Sequence, residues 1–263
     1  MSDELLSLRI IAVSQSPSCR EMFREAATAV RLPIELVAND REAAAVRSIA
    51  AGADLAFFDL ALGGEAVARL AATSRAAPIP PFTISLSASR DFSAFATDAL
   101  AAKPLDPHDA QRLLAGAIRL RLPNRVLLVD DSPTMRGIVR KILLATRFPL
   151  QVTEADQGGE ALALARSHDF DFVFFDHNLP GLSGLEAIAE LRRARRYPGF
   201  VLMTSADDAA LAEKARARGV VFLKKPFYPA DLERILCRFC GLRAVNPAHP
   251  QLRPLFAADA ERA

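Results

Sequence analysis

The sequence predicts two consecutive α/β domains, each built on a doubly wound, five-stranded parallel sheet. Segments of the first half recur in the same order in the second half. Within each half, short apolar runs bounded by turn residues alternate with longer helical patterns. The apolar runs are continuous, which is typical of parallel strands buried on both faces. A chain of 263 residues has room for two domains of this kind.

The repeat is anchored at three places that share an apolar run followed by a helical pattern. The matched pairs are RIIAVSQSPSCREMFREA (9–26) with RVLLVDDSPTMRGIVRKI (125–142), ADLAFFDLAL (53–62) with FDFVFFDHNL (170–179), and AAKPLDPHDAQRLL (101–114) with FLKKPFYPADLERIL (222–236). Three anchors in one order indicate a duplicated domain.

The second half shows the order of elements most clearly. Its predicted strands are VLLVD, LQVTEA, FVFFD, FVLMTSA and VVFLKKP, and its helices begin near Pro133, Gly158, Gly184, Asp207 and Pro229. Parallel neighbours need a crossover connection, usually a helix, so this alternation favours a doubly wound sheet.

The repeat also predicts the domain boundaries. We expect a first domain at 1–122 and a second at 123–241, joined without a Gly/Ser-rich linker. The tail at 242–263 is rich in proline and lacks periodicity, so we expect it to be extended or disordered.

Composition excludes several classes of function. The formal net charge is only +2, and neither half carries the basic excess of a nucleic-acid-binding domain. Three cysteines are too few for a secreted disulfide framework, and the spacing of Cys237 and Cys240 is that of two small apolar residues on one helix face. There is no signal-peptide pattern and no apolar run of about 18 residues. We therefore expect a cytoplasmic protein that binds neither nucleic acid nor membrane.

Polar side chains cluster at the predicted carboxyl ends of the strands in the second half. Asp130 and Asp131 end the first strand, Asp176 the third, Thr204 the fourth and Lys225 the fifth. The carboxyl ends of the strands of an open parallel sheet form the crevice that binds ligands. Packing alone gives no reason for three carboxylates to converge there.

Three neighbouring carboxylates require a neutralising cation, and Mg²⁺ takes a few oxygen ligands while keeping several waters. We expect Asp131, Asp176 and the main-chain carbonyl of Asn178 to be direct ligands, and Asp130 to act through a water. A carboxylate can also take a phosphoryl group covalently. In this interpretation Asp176 is the nucleophile, and Mg²⁺, Lys225 and the Thr204 hydroxyl each approach one phosphoryl oxygen.

Each of these residues also has an ordinary structural explanation. Asp131 precedes Ser132-Pro133 and would suit a helix N-cap. Thr204 and Phe222 would suit a buried core, and Lys225 would suit a surface turn beside Pro226. The isomer of the Lys225–Pro226 bond is left open.

Taken together, VDDSPTMR, FFDHNLPGLSG, MTSA and FLKKPF resemble the receiver domain of two-component response regulators. The resemblance covers 125–240, and this copy is similar to the stand-alone chemotaxis-type (CheY-like) regulators, which have a flavodoxin-like fold. The resemblance implies phosphoryl transfer to Asp176 from a sensor histidine kinase or a His-containing phosphotransfer protein, with slow self-dephosphorylation. It also implies a switch in which Thr204 and Phe222 turn inward and alter the face of helix four, strand five and helix five.

The first copy lacks part of this set. Ser14 and Gln15 stand where the second copy has Asp130 and Asp131, whereas Asp59 keeps the acceptor position. Without the acidic pair, we expect Asp59 to pair directly with Lys103 and to need no Mg²⁺.

The fourth strand of the first copy also differs from its counterpart. Aligning PFTISLSAS with the second copy places Leu86 opposite Thr204, with Ser85 and Ser87 as imperfect substitutes. We therefore interpret the first domain as a degenerate receiver kept for binding: to the second domain, to a partner protein or to itself in a homodimer. A residual phosphate-accepting role for Asp59 stays open.

Three functions stay open at this point. The favoured one is a phosphorylation-controlled interaction module without an output domain, acting on an unidentified protein and catalysing only its own phosphorylation and dephosphorylation. A phosphate sink or relay is the second. An aspartate-nucleophile phosphohydrolase is the third, and it is disfavoured because such enzymes generally carry an acid two residues after the nucleophile, where this chain has Asn178.

Overall fold

The computed structural model describes residues 7–89, 96–181, 183–194 and 199–245. These residues form two compact units, one of 7–115 with 241–245 and the other of 116–240. Each unit is an α/β domain with a central sheet, so the predicted fold class is confirmed. Within the described ranges no helix is long and apolar enough to cross a membrane.

The first domain alternates strands and helices along the chain. Its elements are β1 (Leu8–Val13), α1 (Pro17–Ala29), β2 (Ile34–Asn39), α2 (Glu42–Ala50), β3 (Leu55–Asp59), a 3₁₀ turn (Leu60–Leu62), α3 (Gly64–Ala76), β4 (Phe82–Ser87), β5 (Ala99–Ala102) and α4 (Pro107–Arg119). The last four residues of α4 group with the second unit.

The second domain repeats this order. Its elements are β6 (Asn124–Val129), α5 (Pro133–Leu144), β7 (Leu150–Ala155), α6 (Gly158–Ser167), β8 (Phe172–Asp176), α7 (Gly184–Ala194), β9 (Gly199–Thr204), α8 (Ala209–Ala217), β10 (Val221–Lys224) and α9 (Pro229–Phe239), followed by the short strand β11 (Arg243–Ala244).

Apart from the additional strand β11, both sheets have the same strand order. The first runs β11-β5-β4-β3-β1-β2 and the second β10-β9-β8-β6-β7. All pairings are parallel except that of β11 with β5, which is antiparallel. The central strands β3 and β8 are buried throughout, which explains their unbroken apolar runs.

The first sheet differs from the prediction by its sixth strand. In β11, Arg243 pairs with Leu100 and Ala244 with Ala99, and the Val245 amide donates to the Asp98 carbonyl at 2.8 Å. Two residues in a proline-rich stretch carry no alternating pattern, so only the partner strand shows that they are a strand. The rest of the expected tail, 246–263, lies outside the described residues.

Matching caps fix the loops that follow the first strand of each domain. The hydroxyl of Ser16 accepts from the Cys19 amide, and that of Ser132 from the Met135 amide, each at 3.3 Å. A proline follows each serine as the first helical residue, where its missing N–H costs nothing. The α5 cap is therefore Ser132, and the alternative explanation of Asp131 as that cap is wrong.

Candidate functional site

Asp176 is the last residue of β8 and is only 6% exposed. Its Oδ1 accepts a hydrogen bond from Lys225 Nζ at 2.7 Å, and its Oδ2 accepts one from the Asn178 amide at 2.8 Å. Gly184 begins α7 close by, and a Cβ at that position would lie 2.5 Å from the Asp176 carbonyl oxygen. The helix can start this close to the acceptor strand because residue 184 has no side chain.

Lys225 joins two carboxylates. Its Nζ also donates to Asp130 Oδ2 at 2.7 Å, and Asp130 Oδ1 accepts from the Ser132 amide at 3.0 Å. Burial opposes the charge of the Lys225 ammonium, but hydrogen bonds and charges of the two carboxylates outweigh it and raise the pKa of Lys225. Lys225 is thus a buried cation between two buried acids, and it precedes a cis peptide bond to Pro226.

Thr204 and Phe222 lie on the neighbouring strands. Thr204 ends β9 fully buried, and its Oγ1 accepts from the Ala206 amide at 3.1 Å. Its carbonyl accepts from the Lys225 amide at 2.7 Å, which ties the lysine to the end of β9. Phe222 lies in β10, half-buried against the apolar core.

The predicted metal ligands are only partly assembled. Asp130 and Asp176 meet at Lys225, whereas Asp131 and Asn178 are exposed residues just beyond their strand ends. Among the described residues, no three His, Cys, Asp or Glu side chains form a group that could hold a metal ion. The donor chemistry nevertheless fits Mg²⁺, because it comprises two buried carboxylates, a third one adjacent in sequence and a main-chain carbonyl, all hard oxygen ligands.

The corresponding site of the first domain is closed by neutral and cationic donors. Asp59 ends β3 at 2% exposure, and its Oδ2 accepts from Ser14 Oγ at 2.5 Å and from Lys103 Nζ at 2.6 Å. Its Oδ1 accepts from the Ala61 amide at 3.1 Å. The structure thus contains the Asp59–Lys103 ion pair expected from sequence, whereas Gln15 is exposed.

Strand register corrects one alignment between the two copies. Asp59 is opposite Leu86 in the sheet, as Asp176 is opposite Met203. The residue that corresponds to Thr204 is therefore Ser87, and the assignment of Leu86 to that position is wrong by one residue. Apolar runs of equal length can be aligned in more than one register, and only strand pairing decides between them.

Backbone hydrogen bonds agree with this register. The Lys103 amide donates to the Ser87 carbonyl at 2.7 Å, the same bond that the Lys225 amide makes to Thr204. The Ser87 hydroxyl donates to the Ser89 carbonyl at 2.6 Å. The first domain has therefore kept the acceptor, the hydroxyl and the lysine, and it has lost only the two acids.

An arginine in each domain supports the loop after the first strand, and sequence reasoning missed both. Arg136 donates to the Asp130 carbonyl at 2.7 Å, and Arg20 donates to the Ser14 carbonyl at 2.6 Å. The two arginines align in the repeat, and this shared position could have indicated their common role.

The second domain is similar to known proteins. Residues 126–236 match the response regulator receiver domain family. Chemotaxis protein CheY-3 of Vibrio cholerae is 34% identical over 115 residues, which are 43% of this chain and 88% of that protein. Chemotaxis protein CheY of Pseudomonas aeruginosa is 33% identical over 106 residues, or 39% of this chain and 85% of that protein.

Two solved structures are similar as well. One is a two-component system response regulator/GGDEF domain protein, with 25% identity, a TM-score of 0.47 and coverage of 89% of this chain and 96% of that chain. Another is the receiver domain of sensor histidine kinase PA1611 from Pseudomonas aeruginosa, with magnesium in its active-site cleft, 28% identity, a TM-score of 0.39 and coverage of 46% and 99%. The motifs, the strand order and the similarity over most of the length of CheY-3 show that the chain belongs to the response regulator receiver family of two-component systems, signalling phosphoacceptors rather than catalytic enzymes.

Proposed function

We propose that Asp176 of the second domain accepts a phosphoryl group from the phosphohistidine of a cognate histidine kinase or a His-containing phosphotransfer protein. An Asp176 oxygen bonds to phosphorus while the phosphorus–nitrogen bond breaks, and the imidazole nitrogen leaves with the bonding electrons. The observation that carries this proposal is the buried Asp130–Lys225–Asp176 arrangement, in which one ammonium faces two carboxylates. Such transfer depends mainly on positioning and charge stabilisation.

The other site residues have distinct roles in this proposal. Lys225 neutralises the acids and supplies charge to a phosphoryl oxygen, and the Thr204 hydroxyl turns to another. Asp130, Asp131, Asp176 and the Asn178 carbonyl would hold Mg²⁺, which when bound supplies further positive charge to the phosphoryl oxygens.

We propose further that phosphorylation alters the face formed by α8, β10 and α9. Movement of the Thr204 hydroxyl toward the phosphoryl group frees space at the end of β9, and half-buried Phe222 of β10 turns into it. The output is then contact with another protein. The first domain, which the sequence predicts to end at residue 122, serves in this proposal as a binding or dimerisation domain.

The acceptor assignment is tested by incubation with acetyl phosphate and Mg²⁺, followed by intact-mass and peptide analysis. Acetyl phosphate donates its phosphoryl group to the carboxylate and releases acetate. We expect one phosphoryl group on wild type and on the matched control Asp59→Asn, and none on Asp176→Asn. Labelling that persists in Asp176→Asn would overturn the assignment.

Capture experiments then test the output. Chain treated with Mg²⁺ and beryllofluoride, a mimic of the phosphoryl group, should bind a protein other than a kinase or phosphotransfer protein, and Asp176→Asn should not. Recovery of kinases and phosphotransfer proteins alone would contradict the interaction role and favour a phosphate sink or relay.

A further inference from the structure

We propose that Ser14, acting together with Gln15, confines phosphoryl transfer to the second domain. Its hydroxyl occupies the position of the Asp130 carboxylate and holds Asp59 in a neutral, closed pair with Lys103. This inference rests on the proposed function of Asp176. It adds that the first domain has lost phosphoryl transfer through the residues that follow β1, while the rest of its site is retained.

The frame around the two acceptors is the same. Each acceptor ends a buried central strand, and each lysine amide bonds the carbonyl of a hydroxyl residue, Ser87 or Thr204, at 2.7 Å. The loops after β1 and β6 share a serine cap and an arginine bound to a backbone carbonyl. Of the five side chains that form the second site, only Asp130 and Asp131 lack an equivalent in the first domain, which has Ser14 and Gln15 at those positions.

Charge separates the two sites. In the second domain two buried carboxylates share one ammonium, so the group keeps one net negative charge and exposed Asp131 adds another. In the first domain Asp59 and Lys103 cancel, and Ser14 contributes no charge. A divalent cation is therefore attracted to the second site and gains little at the first.

Access to the nucleophilic oxygen separates them as well. Asp59 Oδ2 has two donors, Ser14 Oγ and Lys103 Nζ, and Oδ1 has the Ala61 amide. At Asp176, Oδ1 accepts from Lys225 Nζ and Oδ2 accepts from the Asn178 amide. An attacking oxygen must turn a lone pair to phosphorus, and the additional Ser14 bond at 2.5 Å opposes this at Asp59.

The test restores the acids in the full-length chain. Mg²⁺ titration by calorimetry should find one site in wild type, two in Ser14→Asp/Gln15→Asp, and one in the matched control Ser14→Ala/Gln15→Ala, which removes the hydroxyl without adding charge. The second domain carries Asp130 and Asp131 at the corresponding positions, and the surrounding backbone is equivalent in the two domains. Ser14→Asp alone should also gain a site, with weaker affinity because Gln15 remains.

Phosphoryl transfer gives an independent readout. With Asp176→Asn as background, Ser14→Asp/Gln15→Asp should take one phosphoryl group from acetyl phosphate, mapped to Asp59, with acetate as the leaving group. The Ala/Ala control in the same background should take none.

The outcomes separate the two proposals. A wild-type chain that binds no Mg²⁺ and takes no phosphoryl group would contradict the proposed function itself. One site in both wild type and Ser14→Asp/Gln15→Asp would overturn the role of Ser14 and leave Asp176 untouched. Unfolding of the first domain with an acid at position 14, in both variants, would also contradict the inference, because it requires equivalent frames.

Discussion

At the scale of single residues, Lys225 balances the charge of the second site. Its side chain is 9% exposed and contacts Asp130 and Asp176, whose side chains are 2% and 9% exposed. Removing one partner of a buried ion pair leaves uncompensated charge in the interior. Because Lys225 is the counterion of both carboxylates, its loss leaves two buried negative charges uncompensated.

We expect Lys225→Met to lower the free energy of unfolding by about 3–5 kcal/mol, measured by urea denaturation. Mg²⁺ should recover part of this loss, because it neutralises the same carboxylates. The matched control is Lys224→Met, whose partner Asp207 is 88% exposed, and here we expect a loss below about 1 kcal/mol. Equal losses in the two variants would contradict the assignment of Lys225 as the internal counterion.

Cys240 offers a second prediction at this scale, set by pH. Burial raises the pKa of its thiol to about 11 from the usual 9.0. The unfolded thiol therefore ionises first as pH rises, so the contribution of Cys240 to stability is fully present below pH 9.0 and falls between pH 9.0 and about 11.

Alkylation measures the same property. At pH 8 iodoacetamide should modify Cys240 far more slowly in the folded chain than in urea, because the reactive form is the thiolate. Cys237 and Cys240 are both buried, as expected for apolar residues on a helix face. Rapid modification of Cys240 in the folded chain at pH 8 would contradict its burial.

At the scale of elements, the start of α7 depends on Gly184. Its missing side chain leaves room for the Asp176 carbonyl and for Leu202 of β9. A methyl group there must push either the helix or the end of β8, and the end of β8 carries the acceptor.

We expect Gly184→Ala to cost about 1–3 kcal/mol of stability and to lower the rate of Asp176 labelling by acetyl phosphate. Gly137→Ala is the control, since Gly137 lies inside α5 with nothing within 4 Å of its Cβ position. That change should stabilise the chain by up to about 1 kcal/mol through helix propensity. Destabilisation by Gly137→Ala, or an unchanged labelling rate in Gly184→Ala, would refute this explanation.

At this scale, some features could be predicted from the sequence and others could not. Buried parallel strands such as β8 and capped helices such as α5 could be predicted, because apolar runs and Ser-Pro caps are local signals. The register of β4 was predicted wrongly, because ISLS offers serines at alternate positions and pairing with β3 is a long-range property. The Ser14–Asp59 bond could not be predicted either, because it depends on the distance between the ends of two strands.

At the scale of the whole molecule, the first domain is built from two separate segments of the chain. Residues 7–115 form most of it, and 241–245 return to add β11 to its sheet. Leu242, just before β11, is 3% exposed, so the return also buries an apolar side chain. The sequence places residue 241 in the predicted second domain and 242–245 in the predicted tail, because apolar periodicity carries no signal of a strand partner so distant in the chain.

Truncation tests this return. A chain ending at Cys240 should lose about 1–3 kcal/mol from the first domain and self-associate, because it leaves the apolar strand β5 as an open edge. A chain ending at Val245 keeps β11 and is the control. Urea unfolding and light scattering measure both effects, and identical behaviour of the two chains would show that β11 contributes nothing.

This return has a consequence for synthesis. Translation proceeds from the amino terminus, and domains generally fold in that order. β11 leaves the ribosome only after the entire second domain, so the first domain must wait with β5 uncovered while α5 through α9 are made. During that interval the nascent chain is therefore most exposed to edge pairing with a neighbouring nascent chain. The interval ends when β11 emerges and pairs with β5.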